Sequence, residues 1–173
     1  ASALIYGIKM DTADFLRGVT DLDVDMFAWL YHHADQELIQ EMYKNVMGIE
    51  DLKAYGAAID NIHVYDGVGF AMIPFDCPDA LIAIISDFVL SLDIVEVSVI
   101  YALRPDGIKF SVRSEIAAVD AGALVRNALR EIGSGGGHKQ MAGGFIPKEA
   151  AAALGEDMEY QIENRFLKQI NEK

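Results

Sequence analysis

The chain has 173 residues, of which 52% are hydrophobic and 24% charged, and its formal net charge is −13. This composition is typical of a folded globular protein and excludes a disordered chain. The single cysteine, Cys77, excludes a fold held by internal disulfides and leads us to expect a reducing, cytoplasmic compartment. The most apolar window, residues 80–100, is interrupted by three carboxylates, so we expect no membrane segment, and no signal peptide pattern precedes it.

The charge is unevenly distributed along the chain. Residues 104–148 hold seven Lys and Arg against four Asp and Glu, a net charge of +3, which leaves −16 for the remainder. A basic, glycine-rich region inside an acidic protein favours a focused anion site, such as one for a phosphate group. Fluctuation of surface charge explains the pattern equally well from charge alone.

The first 61 residues are predicted to be mainly helical. The opening apolar run, residues 3–8, fits either a buried strand or the end of a helix. Apolar residues at helical spacing then predict a helix from residue 23 onward, a second over residues 36–46 after an Asp35 cap, and a third over residues 50–59. Their polar faces indicate a connector between two bodies.

From residue 62 the pattern alternates between strands and helices. Short strands flanking Asp66-Gly67 predict one hairpin, and strands on either side of residues 104–107 predict a second hairpin with one face in solvent. Helices are predicted over residues 79–92, from Asp120 to Gly133, and over residues 157–173, with a short strand at residues 145–146. The fold class is therefore α/β, a mixed β-sheet with flanking helices, preceded by the helical connector.

The most informative stretch is the glycine-rich run that begins at residue 133. Gly135, Gly136 and Gly137 carry no side chain to keep the backbone from a ligand, so successive N–H groups can surround an oxyanion. His138 adds a donor or proton carrier, and Lys139 adds a charge. A flexible loop with a surface histidine is the alternative, but the two flanking apolar elements favour a phosphate-binding loop.

Arg113 is the strand residue best placed to join this site. Alternation puts it on the solvent face with Lys109 and Ser111, where its planar guanidinium can bind phosphate. An ion pair with Glu115 is the alternative. Two further arginines, Arg126 and Arg130, are interpreted as solvated helix residues.

Asp11 is the one candidate metal ligand, because a carboxylate at the end of a buried element can hold a hard cation. It can equally cap a turn with Thr12. The pair His32-His33 is interpreted as helix surface, since neighbours on a helix point about 100° apart and cannot chelate one ion. Cys77 is interpreted as a packing residue.

Two motifs resemble one known family. Residues 135–143, GGGHKQMAG, resemble the GGGHxxAAG signature of the DHH-associated domain, and as there a strand ending in Arg113-Ser114 precedes them. Residues 7–15, GIKMDTADF, resemble GIxTDTxxF, the last metal-binding motif of DHH phosphoesterases. Their order and spacing are similar to RecJ-like and nanoRNase-like members. Met10 and Met141 depart from the usual Thr and Ala beside key residues.

The resemblance implies the C-terminal part of a longer, two-lobed, metal-dependent phosphoesterase of the exonuclease, oligoribonuclease or nucleotide phosphatase class. Residues 1–22 would end the DHH catalytic domain, residues 23–61 would form the connector, and residues 62–173 would form the DHH-associated substrate-binding domain. Asp11 would be one ligand of a Mn or Mg pair in the full-length protein. The residues implied to bind a phosphate or terminal nucleotide are Arg113, Ser114, Gly135, Gly136, Gly137, His138 and Lys139.

The upstream metal motifs are absent from this sequence, so we expect the chain alone to bind no metal and to be inactive. Its expected partners are a phosphate-bearing substrate and the missing N-terminal DHH domain; a homodimer is left open. Short RNA, single-stranded DNA, a cyclic dinucleotide, 3′-phosphoadenosine phosphate and polyphosphate are not distinguished. The alternative functions are a non-catalytic RNA-binding module related to the alanyl-tRNA synthetase C-terminal domain and a regulatory or oligomerisation domain.

Overall fold

A computed structural model describes residues 1–16, 18–44 and 47–171. The chain divides into two compact units, residues 1–48 and residues 49–173. None of the described helices has the length and apolar character needed to cross a membrane.

The described residues of the first unit form three helices, α1 (Ser2–Asp11), α2 (Asp21–Tyr31) and α3 (Gln36–Tyr43). The opening apolar run is therefore helical rather than a strand. The predicted Asp35 cap is confirmed, since its carboxylate accepts the backbone N–H groups of Glu37 and Leu38 at the start of α3. The last two residues predicted for this helix, 45 and 46, lie outside the described residues.

The second unit is built on a six-stranded sheet in the order β1-β2-β3-β4-β6-β5. Only β2 and β3 run parallel, and a crossover helix connects them, so the sheet is mixed as the sequence predicts. The strands are β1 (His63–Tyr65), β2 (Val68–Ile73), β3 (Val97–Arg104), β4 (Gly107–Ser114), β5 (Ser134–Gly137) and β6 (Met141–Pro147). The helices are α4 (Asp51–Asp60), α5 (Asp79–Leu90), α6 (Ala121–Ala128), α7 (Lys148–Ala153) and α8 (Met158–Asn171).

The sheet has two differently covered faces. On one face, α6 and α8 pack over the larger apolar cluster, in which Phe110 lies between the rings of Tyr101 and Phe166. On the other face, α4 and α5 pack over β2, β3 and β4 through a second cluster. Contacts therefore place α4 with the sheet, whereas the sequence assigns it to a connector.

The prediction of a solvent-exposed face on the second hairpin is wrong, because α5 covers it. The alternating serines of these strands look polar in the sequence but meet polar groups of the helix. The Ser98 hydroxyl lies 2.8 Å from that of Ser86 on α5 and donates to the Ser86 carbonyl at 2.9 Å. Both serines are fully buried. Small hydroxyl side chains can satisfy each other in this way and let the helix approach closely.

Element ends also differ from the sequence prediction. Helix α6 ends at Ala128 rather than at Gly133, and β6 runs over seven residues rather than two. Helix α8 ends at Asn171, and the last two residues predicted for it lie outside the described residues. The glycine run is itself a strand, β5, and this changes how the candidate site is built.

Candidate functional site

The glycine run forms the edge strand of the sheet rather than a loop. Gly135 lies opposite Gly144, and Gly136 lies opposite Gly143. The hairpin closes where the His138 N–H donates to the Met141 carbonyl at 2.7 Å. Because antiparallel hydrogen bonds alternate in direction along a strand, the N–H groups of Gly135 and of residue 137 turn away from β6 toward the free edge.

Packing explains two of the three glycines. A Cβ on Gly135 would lie 2.2 Å from Val125 Cγ1 on α6, and one on Gly137 would lie 2.4 Å from the Met141 carbonyl oxygen. Gly137 also has a φ of +155°. The space expected to admit a ligand at these two positions is therefore filled by the protein.

Gly136 and Gly143 instead leave the sheet open on the face that α5 covers elsewhere. The nearest atom to a Cβ on Gly143 would be the Phe110 carbonyl oxygen at 3.6 Å, and for Gly136 it would be Arg126 Nη1 at 3.4 Å. These paired glycines form a bare backbone floor, which we call the glycine platform.

The tip of the β5–β6 hairpin is fixed by the start of α6. The Lys139 and His138 carbonyls accept the N–H groups of Ala121 and Gly122 at 2.8 and 3.1 Å. The Asp120 carboxylate accepts the next N–H, that of residue 123, at 2.8 Å. The first three donors of α6 are thus used internally, so this helix end offers them to no ligand. The side chains of His138 and Lys139 remain exposed.

Arg113 lies beside the platform, but, contrary to the prediction, it is not exposed to solvent. Only 8% of the residue is accessible, since α5 lies over β4. Its Nε donates to Asp87 Oδ1 on α5 at 2.7 Å, and its Nη1 donates to the Ser111 hydroxyl at 3.1 Å. Asp87, not the Glu115 considered from the sequence, is its carboxylate partner.

The register shows which predicted residues the fold brings together. Arg113 is opposite Met141, and Ser111 is opposite Gly143, which in turn pairs with Gly136. Strands are spaced about 4.8 Å apart, so Arg113 and the glycine strand lie about 10 Å apart on one sheet face, with β6 between them. Met141, where the family signature usually has Ala, places a half-buried thioether in this space.

Ser114 does not join this group. Alternation along β4 turns it to the opposite face, where it pairs with buried Val97, and its hydroxyl donates to the Ile116 carbonyl at 3.4 Å. Arg126 was not recognised from the sequence, although its guanidinium lies at the platform. Arg126 directly follows Val125, whose side chain packs on the glycine strand, and this adjacency is the sequence feature that indicates the position of Arg126.

Asp11 lies in the first unit, exposed at the end of α1. It leads into a turn in which Ala13, Asp14 and Phe15 all have left-handed φ, between +49° and +67°. Such backbone costs about 1 kcal/mol or more per residue and needs support, which Thr12 provides by accepting the Phe15 N–H at 3.1 Å. Asp14 also accepts a hydrogen bond from Lys9, which raises the pKa of that lysine.

A metal site is not formed by the residues that the structure describes. Among them, no three His, Cys, Asp or Glu side chains come together as a metal-binding group. The His33 ring stacks on Trp29 and its Nδ1 contacts the Trp29 carbonyl, in keeping with a surface role. Cys77 is buried, and its burial raises its pKa to about 11, which fits a packing residue.

Comparison with known proteins shows the family to which the chain belongs. Residues 66–164, which include the whole sheet from β2 and the glycine hairpin, match the family described as the DHHA1 domain. The chain belongs to the DHHA1 domain family. An uncharacterised protein of Methanocaldococcus jannaschii is 25% identical over 148 residues, which are 85% of this chain and 30% of the relative.

Two solved structures are similar to this chain. An exopolyphosphatase-related protein from Bacteroides fragilis superposes with a TM-score of 0.63 at 19% identity, covering 91% of this chain and 49% of that one. RecJ from Thermus thermophilus, in complex with Mg²⁺, has a TM-score of 0.46 at 17% identity, over 96% of this chain and 24% of that one. The chain thus spans half or less of the length of these relatives.

Proposed function

We propose that the DHHA1 sheet binds the phosphate of a nucleotide or short oligonucleotide at the glycine platform. The observation that carries this proposal is the shared sheet face: the Arg113 guanidinium and the bare backbone of Gly136 and Gly143 face the same side. A guanidinium supplies directed donors to phosphate oxygens, and a floor without Cβ atoms lets those oxygens approach the backbone.

The exposed residues around the platform complete the proposed site. His138 and Lys139 stand at the hairpin tip, and Arg126 reaches the platform from α6. Cationic groups therefore come from three separate elements around an open floor. Asp87 neutralises part of the Arg113 charge, so we infer that Arg113 acts through hydrogen bonds to a phosphate rather than as a free charge.

We further propose that this domain presents its ligand to an N-terminal DHH catalytic domain that binds Mn or Mg ions. Those ions would supply Lewis-acid activation of water for phosphoester cleavage. The described residues of this chain do not form such a metal site, so we assign no step of the reaction to them. Asp11 would contribute one ligand to the site of the longer protein.

The test is binding of a fluorescent dinucleotide with a 5′-phosphate, measured by anisotropy. Arg113→Gln and His138→Ala should each weaken binding at least 10-fold, and removal of the 5′-phosphate should have a similar effect. Lys148→Ala, which removes an exposed charge at the start of α7, is the matched control and should change affinity less than 2-fold. Unchanged affinity in both Arg113→Gln and His138→Ala, the two platform variants, would refute the proposal and favour a regulatory or oligomerisation role.

A further inference from the structure

A polar groove runs between α6 and α8, on the sheet face opposite Arg113. One part of it has a volume of about 400 Å³, and a neighbouring part of about 340 Å³ shares Asn127, Arg165 and Gln169 with the first. The two parts are therefore continuous. Volumes of about 300–1,000 Å³ are usual for ligand sites.

The groove is basic although the protein carries a charge of −13. Arg130, Arg165 and Lys168 line it, against one carboxylate, Glu131. In the described part of the chain, none of these three cations has a carboxylate oxygen within 4 Å. Cations concentrated in this way attract a polyanion.

Two of these groups are held in place within the groove. The Arg165 Nη1 donates to the Arg130 carbonyl at 3.3 Å, and the Arg130 Nη2 donates to Asn127 Oδ1 at 3.3 Å. Each guanidinium has five N–H donors, so these single bonds leave donors for phosphate oxygens.

The other lining residues favour a nucleic acid over a chain of bare phosphates. Asn127, Asn164 and Gln169 present amides, which both donate and accept and can therefore pair with bases and sugar hydroxyls. Tyr160 is not a lining residue, but it is 68% exposed, precedes the lining residue Asn164 by one helical turn and offers a ring on which a base can stack.

Arg126 connects the groove with the glycine platform. It lies near the end of α6, four residues before Arg130 in the chain, and its Nη1 lies at Gly136 on the edge strand. We propose that the α6–α8 groove binds the backbone of a single-stranded nucleic acid whose terminal phosphate lies at the glycine platform. This inference rests on the proposed function for the position of the strand's end, and it specifies a substrate several nucleotides long.

The test compares 5′-phosphorylated single strands of two and ten nucleotides, as RNA and as DNA, by anisotropy at several salt concentrations. Arg165→Gln with Lys168→Gln should weaken binding of the ten-nucleotide strands at least 10-fold and change dinucleotide binding less than 2-fold. Because each phosphate contact on a single strand contributes a slope of about 0.7 in log affinity against log salt, the slope should fall by about 1.4. Lys44→Gln with Lys148→Gln carries the same charge change outside the groove and should leave both quantities unchanged.

Two further measurements identify the ligand and guard against misfolding. Tyr160→Ala should weaken the ten-nucleotide strands about 5-fold, Tyr160→Phe should restore them, and neither should affect a linear polyphosphate. Equal effects on polyphosphate, or tighter binding of a duplex of the same length, would overturn the assignment to single strands. Arg130→Gln with Lys168→Gln leaves the Arg165 side chain in place and should reproduce the loss.

The outcomes separate this inference from the proposed function. If both groove variants bind the ten-nucleotide strands with native affinity and salt slope, the groove assignment is refuted, whatever the platform variants show. If Arg113→Gln and His138→Ala leave dinucleotide binding intact while the groove variants lose the longer strands, the platform proposal fails and the groove still binds nucleic acid.

Discussion

Gly135 and Gly136 are neighbours in one strand, yet the structure predicts opposite effects when each becomes alanine. The Gly135 Cβ would stand 2.2 Å from Val125 Cγ1 and 2.9 Å from the Gly143 carbonyl oxygen, whereas favourable carbon contacts lie at about 3.5–4.0 Å. The new methyl group would lie between the β6 backbone and the packed Val125 side chain of α6, and no side-chain rotation relieves the overlap. We expect an overpacking cost near the upper end of the usual range, about 3 kcal/mol.

Replacing glycine also restricts the unfolded chain, which stabilises the folded state by about 0.4–1 kcal/mol. Gly135→Ala should therefore lose about 2 kcal/mol of unfolding free energy, which corresponds to a Tm about 4–8 °C lower for a chain of this size. At Gly136 the nearest neighbour is the end of the flexible Arg126 side chain at 3.4 Å. Gly136→Ala should keep native stability or raise the Tm by about 1–4 °C.

Urea unfolding followed by circular dichroism measures both variants, and dinucleotide anisotropy measures their binding. The expected pattern is a stability loss only at Gly135 and an affinity loss at Gly136, where the new methyl group covers the platform. If the two variants lose equal stability, or if Gly135→Ala loses less than about 0.5 kcal/mol, the packing argument is refuted. If Gly136→Ala binds the dinucleotide normally, the platform is not the phosphate floor.

Three further perturbations follow from single contacts. Asp87→Asn removes the carboxylate 2.7 Å from the Arg113 Nε, which competes with phosphate for this guanidinium. Dinucleotide affinity should therefore rise several-fold, while the free energy of unfolding falls by about 1–3 kcal/mol. A fall in affinity would contradict this competition. Asp120→Ala removes the cap of α6 and should cost about 1 kcal/mol in urea unfolding, unless the hairpin tip alone holds the helix. Burial raises the pKa of Cys77 from its ordinary value near 9 to about 11, so iodoacetamide should label this thiol slowly at pH 8 in the folded protein and rapidly in urea. Because the thiol of the unfolded chain ionises first, the free energy of unfolding should also decline as the pH rises from 9 to 11. Rapid labelling of the folded protein would show that the thiol is accessible.

Local sequence patterns were sufficient for most elements of the fold. The Asp66-Gly67 turn, the Asp35 and Asp120 caps and the β3–β4 hairpin depend on neighbours within a few residues, and all of them are found in the structure. The GGGHKQMAG segment carried the family resemblance, which the match to the DHHA1 domain confirms.

Burial on the second sheet face could not be read from the same patterns. Serine and arginine alternating with valine are typical of a solvated face, and only the crossover from β2 to β3 places α5 above them. The resulting partners, Ser86 for Ser98 and Asp87 for Arg113, are 12 and 26 residues away in the chain. The apolar helix of residues 79–92 contained the relevant indication, the adjacent polar residues Ser86 and Asp87.

The sequence by itself determined the α/β class, most of the elements and the family, because turns, caps and periodicity act over short distances along the backbone. The tertiary structure decided what the glycines do. Contacts with α6 and β6 fill the space at Gly135 and Gly137 and leave it open at Gly136 and Gly143. Whether a missing side chain serves packing or a ligand depends on what other segments place beside it, and that is set by how helices and strands assemble.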